Sequence, residues 1–352
     1  MKYIKGYDGL RAISIILVLI THLGWLEGTI HDDVANGRIQ LLFSGVTGVR
    51  IFFVLSGFLI TRILMQEKIA TGRISFKRFY TRRFLRLLPP LVLFFAAMTL
   101  LMAFGYLPGS WIGLIFSALY LYNFVPNKYY SGELGHTWSL GVEEQFYFFW
   151  PFVIAFLRKY ITWFVFLVIL LCILGAIYLP IMSISYHGKR YPLTDLSRVD
   201  RWFIPAAAPI MVGAWFSYAV INNEAKLRAY FSGKFLFLVL AVLLFFSPAY
   251  APPVLFTSLP LVQMLGISLL LLWIFYNQDS LLTKCLEWGP VSYIGKISYG
   301  IYVYHGLFLR TSPGGSLFIQ QYPVNIILTF GTAILSYEFY EKRFLRLKKR
   351  FA

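Results

Sequence analysis

"GLRAISIILVLITHLG", residues 9–24, decides the class of this chain. It runs apolar from Ala12 to Thr21, yet it opens on Arg11 and closes on His22. Eleven residues of α-helix turn through about 1100°, three turns plus roughly 20°, so Arg11 and His22 share a face about 16 Å apart. Such a segment starts at the cytoplasmic interface and carries an imidazole halfway into the hydrocarbon core. An ionisable group at that depth is expensive and turns toward a partner or a cavity. Asp8, just ahead, has the right side chain and place for an N-cap. Taken alone, His22 fits a neutral bridge between helices as well as it fits chemistry.

The rest of the chain follows the same pattern. Of 352 residues, 59% are hydrophobic and 13% charged, where soluble domains average about 25% charged. That composition predicts an all-α polytopic membrane bundle, a single domain over 1–352 with no additional soluble domain. Stretches long enough to span lie near 10–29, 41–63, 87–107, 138–157, 160–182, 202–221, 234–250, 254–276, 290–310 and 323–341. The apolar stretch 111–124 has only fourteen residues and is expected to be re-entrant or interfacial. The N-terminus resembles a signal peptide, but no small-residue cleavage site follows, so an uncleaved first span is expected.

A net charge of +17 would suggest nucleic acid in a soluble protein. Here its placement explains it. Residues 62–86 hold eight basic side chains and one Glu, and 342–350 hold six. Basic residues collect in cytoplasmic loops, so both termini are expected inside and the number of spans is even. With ten spans, 24 of the 32 Lys and Arg fall at the cytoplasmic side. No nucleic acid partner is needed; the lipid bilayer is the partner. The outer loops are then 30–40, 108–137, 183–201, 251–253 and 311–322. The two cysteines, Cys172 and Cys285, suggest neither a metal site nor a disulfide framework.

Several spans carry polar groups inward. Arg50 lies about 18 Å above Arg62, which predicts a depth like that of His22. Ser56 and Gly57 allow close helix approach. Glu143 and Glu144 sit a turn or two inside the outer face, some 100° apart, so one of them can face His22. Tyr147 and Trp150 fit interface aromatics. The ninth span holds Ser298, Tyr299, Tyr302 and His305, with Tyr299 and Tyr302 neighbours on one face. Glu338 and Glu341 close the last span. A shared cavity with histidine, carboxylate, arginine and hydroxyls suits proton abstraction and oxyanion stabilisation, and equally proton-coupled transport. At the cytoplasmic mouth stand Arg78, Arg82, Arg83 and Arg86. They suit lipid headgroups or a clamp for a phosphate-rich ligand with a long reactive arm, the shape of acyl-CoA.

The Arg11–His22 spacing resembles that of the acyltransferase-3 family of membrane O-acyltransferases. YDGLRA, FFVLSGFLI, FYTRRFLRLLPP, HTWSLGVEEQFYFFWP, IGKISYGIYVYH and SYEFYEKR match it in order along essentially the whole chain. The resemblance implies transfer of an acyl group, usually acetyl, from cytoplasmic acyl-CoA to a hydroxyl beyond the bacterial inner membrane. The acceptor it implies is a surface carbohydrate or glycolipid, and no metal is expected. It implies His22 as the key catalytic residue with Glu143 beside it, and Arg11, Arg82, Arg83 and Arg86 on the donor side. It also points to Tyr299, Tyr302 and Glu341 in the cavity. The family more often has an acid where Arg50 stands, which leaves the role of Arg50 open. His22 is then a general base or an acyl carrier, with the acceptor entering past 111–136 and 183–201. A transporter that uses the same cavity without chemistry is the alternative.

Overall fold

The computed structural model describes residues 3–24, 33–107, 109–182, 198–252, 259–310, 315 and 317–351. Among these there is no strand. The helices used below are α1 (Tyr7–His22), α2 (Asp33–Phe43), α3 (Gly45–Thr71), α4 (Phe76–Ala103), α5 (Trp111–Ala118), α6 (Thr137–Phe156) and α7 (Ile161–Met182). They continue with α8 (Ala208–Asn222), α9 (Glu224–Phe231), α10 (Phe235–Phe245), α11 (Leu259–Tyr276), α12 (Leu281–Leu286), α13 (Gly289–Phe308), α14 (Val324–Leu335) and α15 (Lys342–Lys348).

Four helical stretches, 37–71, 76–103, 158–176 and 259–276, are long and apolar enough to cross a bilayer by themselves. Of the others expected to span, α6 and α13 are 20-residue helices that are less apolar, and the rest are shorter or interrupted. The stretch near 234–250 yields only eleven helical residues in α10, which meets α9 at 84°. Outward-facing apolar side chains mark the membrane character. Trp163, Phe166, Leu167, Leu170 and Leu171 of α7 are all exposed, a pattern that suits lipid rather than water. The segment 111–124 forms an eight-residue helix, about 12 Å long, and then a single 3₁₀ turn. Asn123 and Gln145 exchange amide hydrogen bonds of 3.3 and 2.9 Å, so this segment folds back onto α6.

Contacts divide the chain into two compact units. The first comprises residues 1–72, 152–169 and 207–298. Here α1 runs antiparallel to α3. Tyr7 meets Phe58 edge-on at 5.9 Å, and the Gly45 N–H donates to Thr21 Oγ1 at 2.6 Å. Between them a side chain on Gly48 would overlap the Ser14 carbonyl. Gly57 of α3 and Gly213 of α8 lie against the carbonyls of Ile210 and Val54, so the close approach expected at Ser56–Gly57 is the α3–α8 crossing. Leu10, Leu17, Ile51, Leu55, Phe58, Leu271 and Ile274 fill the core.

The second unit comprises 73–151, 170–206 and 299–352. Ser75 caps α4 by accepting from the Arg78 N–H at 3.4 Å. The helix then runs on through Pro89 and Pro90, which removes two backbone donors from its ladder. Phe94, Met98, Leu134, Phe146 and Trp150 are fully buried, with Phe146 and Trp150 stacked at 5.0 Å. After α14 the chain makes a π-helical turn, Ser336–Glu341, before α15. Such turns insert a residue and re-aim side chains, often at functional sites.

Candidate active site

In the first unit, α1 starts after Gly6, whose φ of 87° closes the turn. Glu287 accepts the Gly6 N–H at 2.5 Å. Asp8 is therefore inside the first turn and does not cap it. Its carboxylate takes Arg11 Nη1 at 2.6 Å and the Tyr3 hydroxyl at 2.9 Å. Arg11 thus has its counter-charge one turn away on the same helix. His22 is the last residue of α1, partly buried, beside the Thr21 that Gly45 anchors.

That anchor also sets the depth of Arg50. Gly45, not Arg50, lies level with Thr21. Arg50 stands five residues, about 7.5 Å, further toward Arg62. Its Nη1 donates to Gln263 Oε1 at 3.1 Å, while Gln263 Nε2 donates to the Leu41 carbonyl at 2.9 Å. Counting up from the basic loop misses this offset, because glycine contacts set the register of α3 against α1. Ser56 is partly buried beside Gly57.

In the second unit, the basic run is helix and not loop, since α4 begins at Phe76, about ten residues before the expected span. Arg82, Arg83 and Arg86 lie two to three turns into it and take three separate partners. Arg82 Nη1 donates to the Phe351 carbonyl at 3.2 Å. The Arg83 guanidinium sits 3.4 Å from the centroid of the Tyr147 ring. Arg86 is electrostatically coupled to Glu341. Glu341 is buried and accepts from Ser336 Oγ at 2.8 Å, and Ser336 in turn pairs with the Tyr304 hydroxyl at 2.7 Å.

The Tyr147 hydroxyl donates to Glu143 Oε1. The Tyr120 carbonyl of the folded-back segment accepts from Gln145 Nε2 of α6 at 3.1 Å. Tyr299 donates to the Leu87 carbonyl at 3.1 Å. So the structure brings Arg83, Tyr147 and Glu143 together in the second unit, with Glu341 Oε1 against Gly300, next to Tyr299. Tyr302 turns elsewhere. Its hydroxyl donates to the His136 carbonyl at 3.0 Å and lies 2.5 Å from Ser139 Oγ. His136 and His305 are buried there with ring centroids 4.6 Å apart. His305 Nδ1 lies 2.5 Å from the Tyr302 carbonyl. A carbonyl only accepts, so Nδ1 carries the proton.

Tyr147 was missed as a site residue, although its i+4 spacing from Glu143 was a usable signal. Tyr120 and His136 had no local signal. The expected outer loop 183–201 lies outside the described residues up to 197.

The cluster supplies carboxylates near cations and hydroxyls, the parts of acid–base chemistry on an alcohol. The comparisons agree with that chemistry. A family model described as an acyltransferase domain matches residues 4–340. The peptidoglycan O-acetyltransferase OatA of Listeria monocytogenes is 28% identical over 97% of this chain and 55% of its own length. A putative O-acetyltransferase of Staphylococcus aureus strain COL is 28% identical over 98% of this chain and 58% of its own. The O-acetyltransferase OatA of S. aureus strain NCTC 8325 is 29% identical over 97% and 57%. The chain thus spans a little over half the length of these relatives. No solved structure matches it. With its ordered motifs all inside the matched 337-residue span or at its edge, the chain belongs to the acyltransferase-3 family.

Proposed function

We propose that the protein is a multi-pass O-acetyltransferase of the bacterial inner membrane. It takes an acetyl group from cytoplasmic acyl-CoA and delivers it to a hydroxyl of an extracytoplasmic carbohydrate or glycolipid. The observation that carries this reading is the family match over residues 4–340. O-acetyltransferases among the relatives support the group transferred.

In this reading ten segments span, both termini are cytoplasmic, and 111–124 enters and leaves on the outer side. The 12 Å length of α5 supports that, since the hydrocarbon core is about 30 Å thick. Acyl-CoA enters from the cytoplasm, with its phosphates at Arg82 and Arg86. His22 removes the proton from the acceptor hydroxyl, or first takes the acetyl group itself. Glu143 orients the acceptor. The proton leaves the acceptor hydroxyl, the acyl–oxygen bond forms, the acyl–sulfur bond breaks, and CoA departs as its thiol.

Purified protein in detergent, given labelled acetyl-CoA and soluble peptidoglycan fragments, should release CoA thiol and label the carbohydrate. Acetyl-CoA left intact, with no label on the carbohydrate, would contradict the reading.

A further inference from the structure

We infer that Tyr147 and Arg83 are positioning residues for Glu143: the Tyr147 hydroxyl holds the carboxylate, and Arg83, stacked on the Tyr147 ring, holds the ring. The inference rests on the role of Glu143 proposed above.

Three observations carry it. Arg83 lies seven residues into α4, about 10 Å along the helix. There one face of its guanidinium is covered by the Tyr147 ring at 3.4 Å. That stacking ties the Tyr147 ring to α4. Next, Tyr147 is buried at 3% exposure, and its hydroxyl holds one oxygen of Glu143. One turn of helix separates the two, so the phenol fixes the carboxylate with no chain rearrangement. Finally, Glu143 and Glu144 are adjacent and only partly buried.

The layers divide the work. Tyr147 is sealed and rigid, so it can set an orientation. Glu143 is only partly buried, so it can be reached. Arg83 packs on the ring and holds it in place.

The test compares Tyr147→Phe, Tyr147→Leu, Arg83→Lys, Arg83→Ala, Arg82→Ala and Glu143→Gln in purified protein. Two readouts are taken: equilibrium binding of acetyl-CoA, and kcat and KM for acetyl transfer to soluble peptidoglycan fragments. Tyr147→Phe should lower kcat about tenfold, and Tyr147→Leu and Arg83→Ala about a hundredfold. Acetyl-CoA affinity should stay within about twofold in all three. Arg83→Lys should recover most of the loss because it keeps the charge. Arg82→Ala should weaken acetyl-CoA binding instead.

Arg83→Ala weakening acetyl-CoA binding tenfold at unchanged kcat would overturn the inference and restore the donor clamp. So would wild-type kcat in Tyr147→Phe while Glu143→Gln is inactive; that result leaves the role of Glu143 standing. Wild-type turnover in Glu143→Gln would instead remove the role on which the inference rests. The binding readout works even for a variant with no turnover.

Discussion

Arg11 and Arg83 both sit in apolar helices, and each is neutralised in a different way. Arg11 takes Asp8 of its own helix at 2.6 Å, three residues back. Arg83 takes the ring of Tyr147 on another helix, some sixty residues downstream. Glu341 in turn accepts from Ser336 of the π turn at 2.8 Å. The first arrangement is helical geometry alone and would survive many changes elsewhere. The second exists only if α4, α6 and the π turn before α15 pack in one register. Local pairing therefore holds α1 in shape, while long-range pairing builds the polar cluster of the second unit.

The contrast can be broken at its packing first. Gly57→Leu puts a side chain into the Ile210 carbonyl at the α3–α8 crossing. A loss of about 3 kcal/mol is expected from such overpacking, seen as a large drop in detergent melting temperature. An unchanged melting temperature would mean that the helices are further apart than described.

A long-range pair comes next. Glu341→Gln replaces the carboxylate that accepts from Ser336 with a neutral amide and weakens that bond. Hydrogen bonds to charged groups are worth about 1.5–3 kcal/mol, so a loss of about 2 kcal/mol is expected in a chemical unfolding curve. Ser336→Ala combined with it should add little, because both act on one carboxylate. Full additivity would separate the two residues.

The local pair should matter least. Asp8→Asn keeps an acceptor for Tyr3 and loses only the i,i+3 ion pair and its favourable place at the helix N-terminus. About 1 kcal/mol or less is expected. A loss as large as that of Glu341→Gln would erase the distinction between the two kinds of pairing.

The same contrast explains what could be seen in the sequence. The helical class, the close approach at Gly57 and the short segment 111–124 follow from local composition and length. The shared face of Arg11 and His22 follows from helical period. What was misplaced depended on distant partners. Asp8 has every property of an N-cap, but Glu287, some 280 residues away, takes the N–H of Gly6 instead. Arg50 was placed too high because its depth depends on where Gly45 and Gly48 meet α1. The arginines of α4 read as loop because apolar content, not helix start, defines a span. Tyr147 passed as an interface aromatic until α4 set Arg83 on its ring.

His22 closes α1, and the central claim is that acetyl transfer runs through it. The direct measurement uses sealed membrane vesicles whose cytoplasmic face is outward, loaded with soluble peptidoglycan fragments and given labelled acetyl-CoA outside. Wild-type protein should label the enclosed carbohydrate. His22→Gln, inserted to the same level and still binding acetyl-CoA, should fall by about 10²–10⁴-fold or below detection. Wild-type labelling by His22→Gln would contradict both a general base and an acyl carrier at this position.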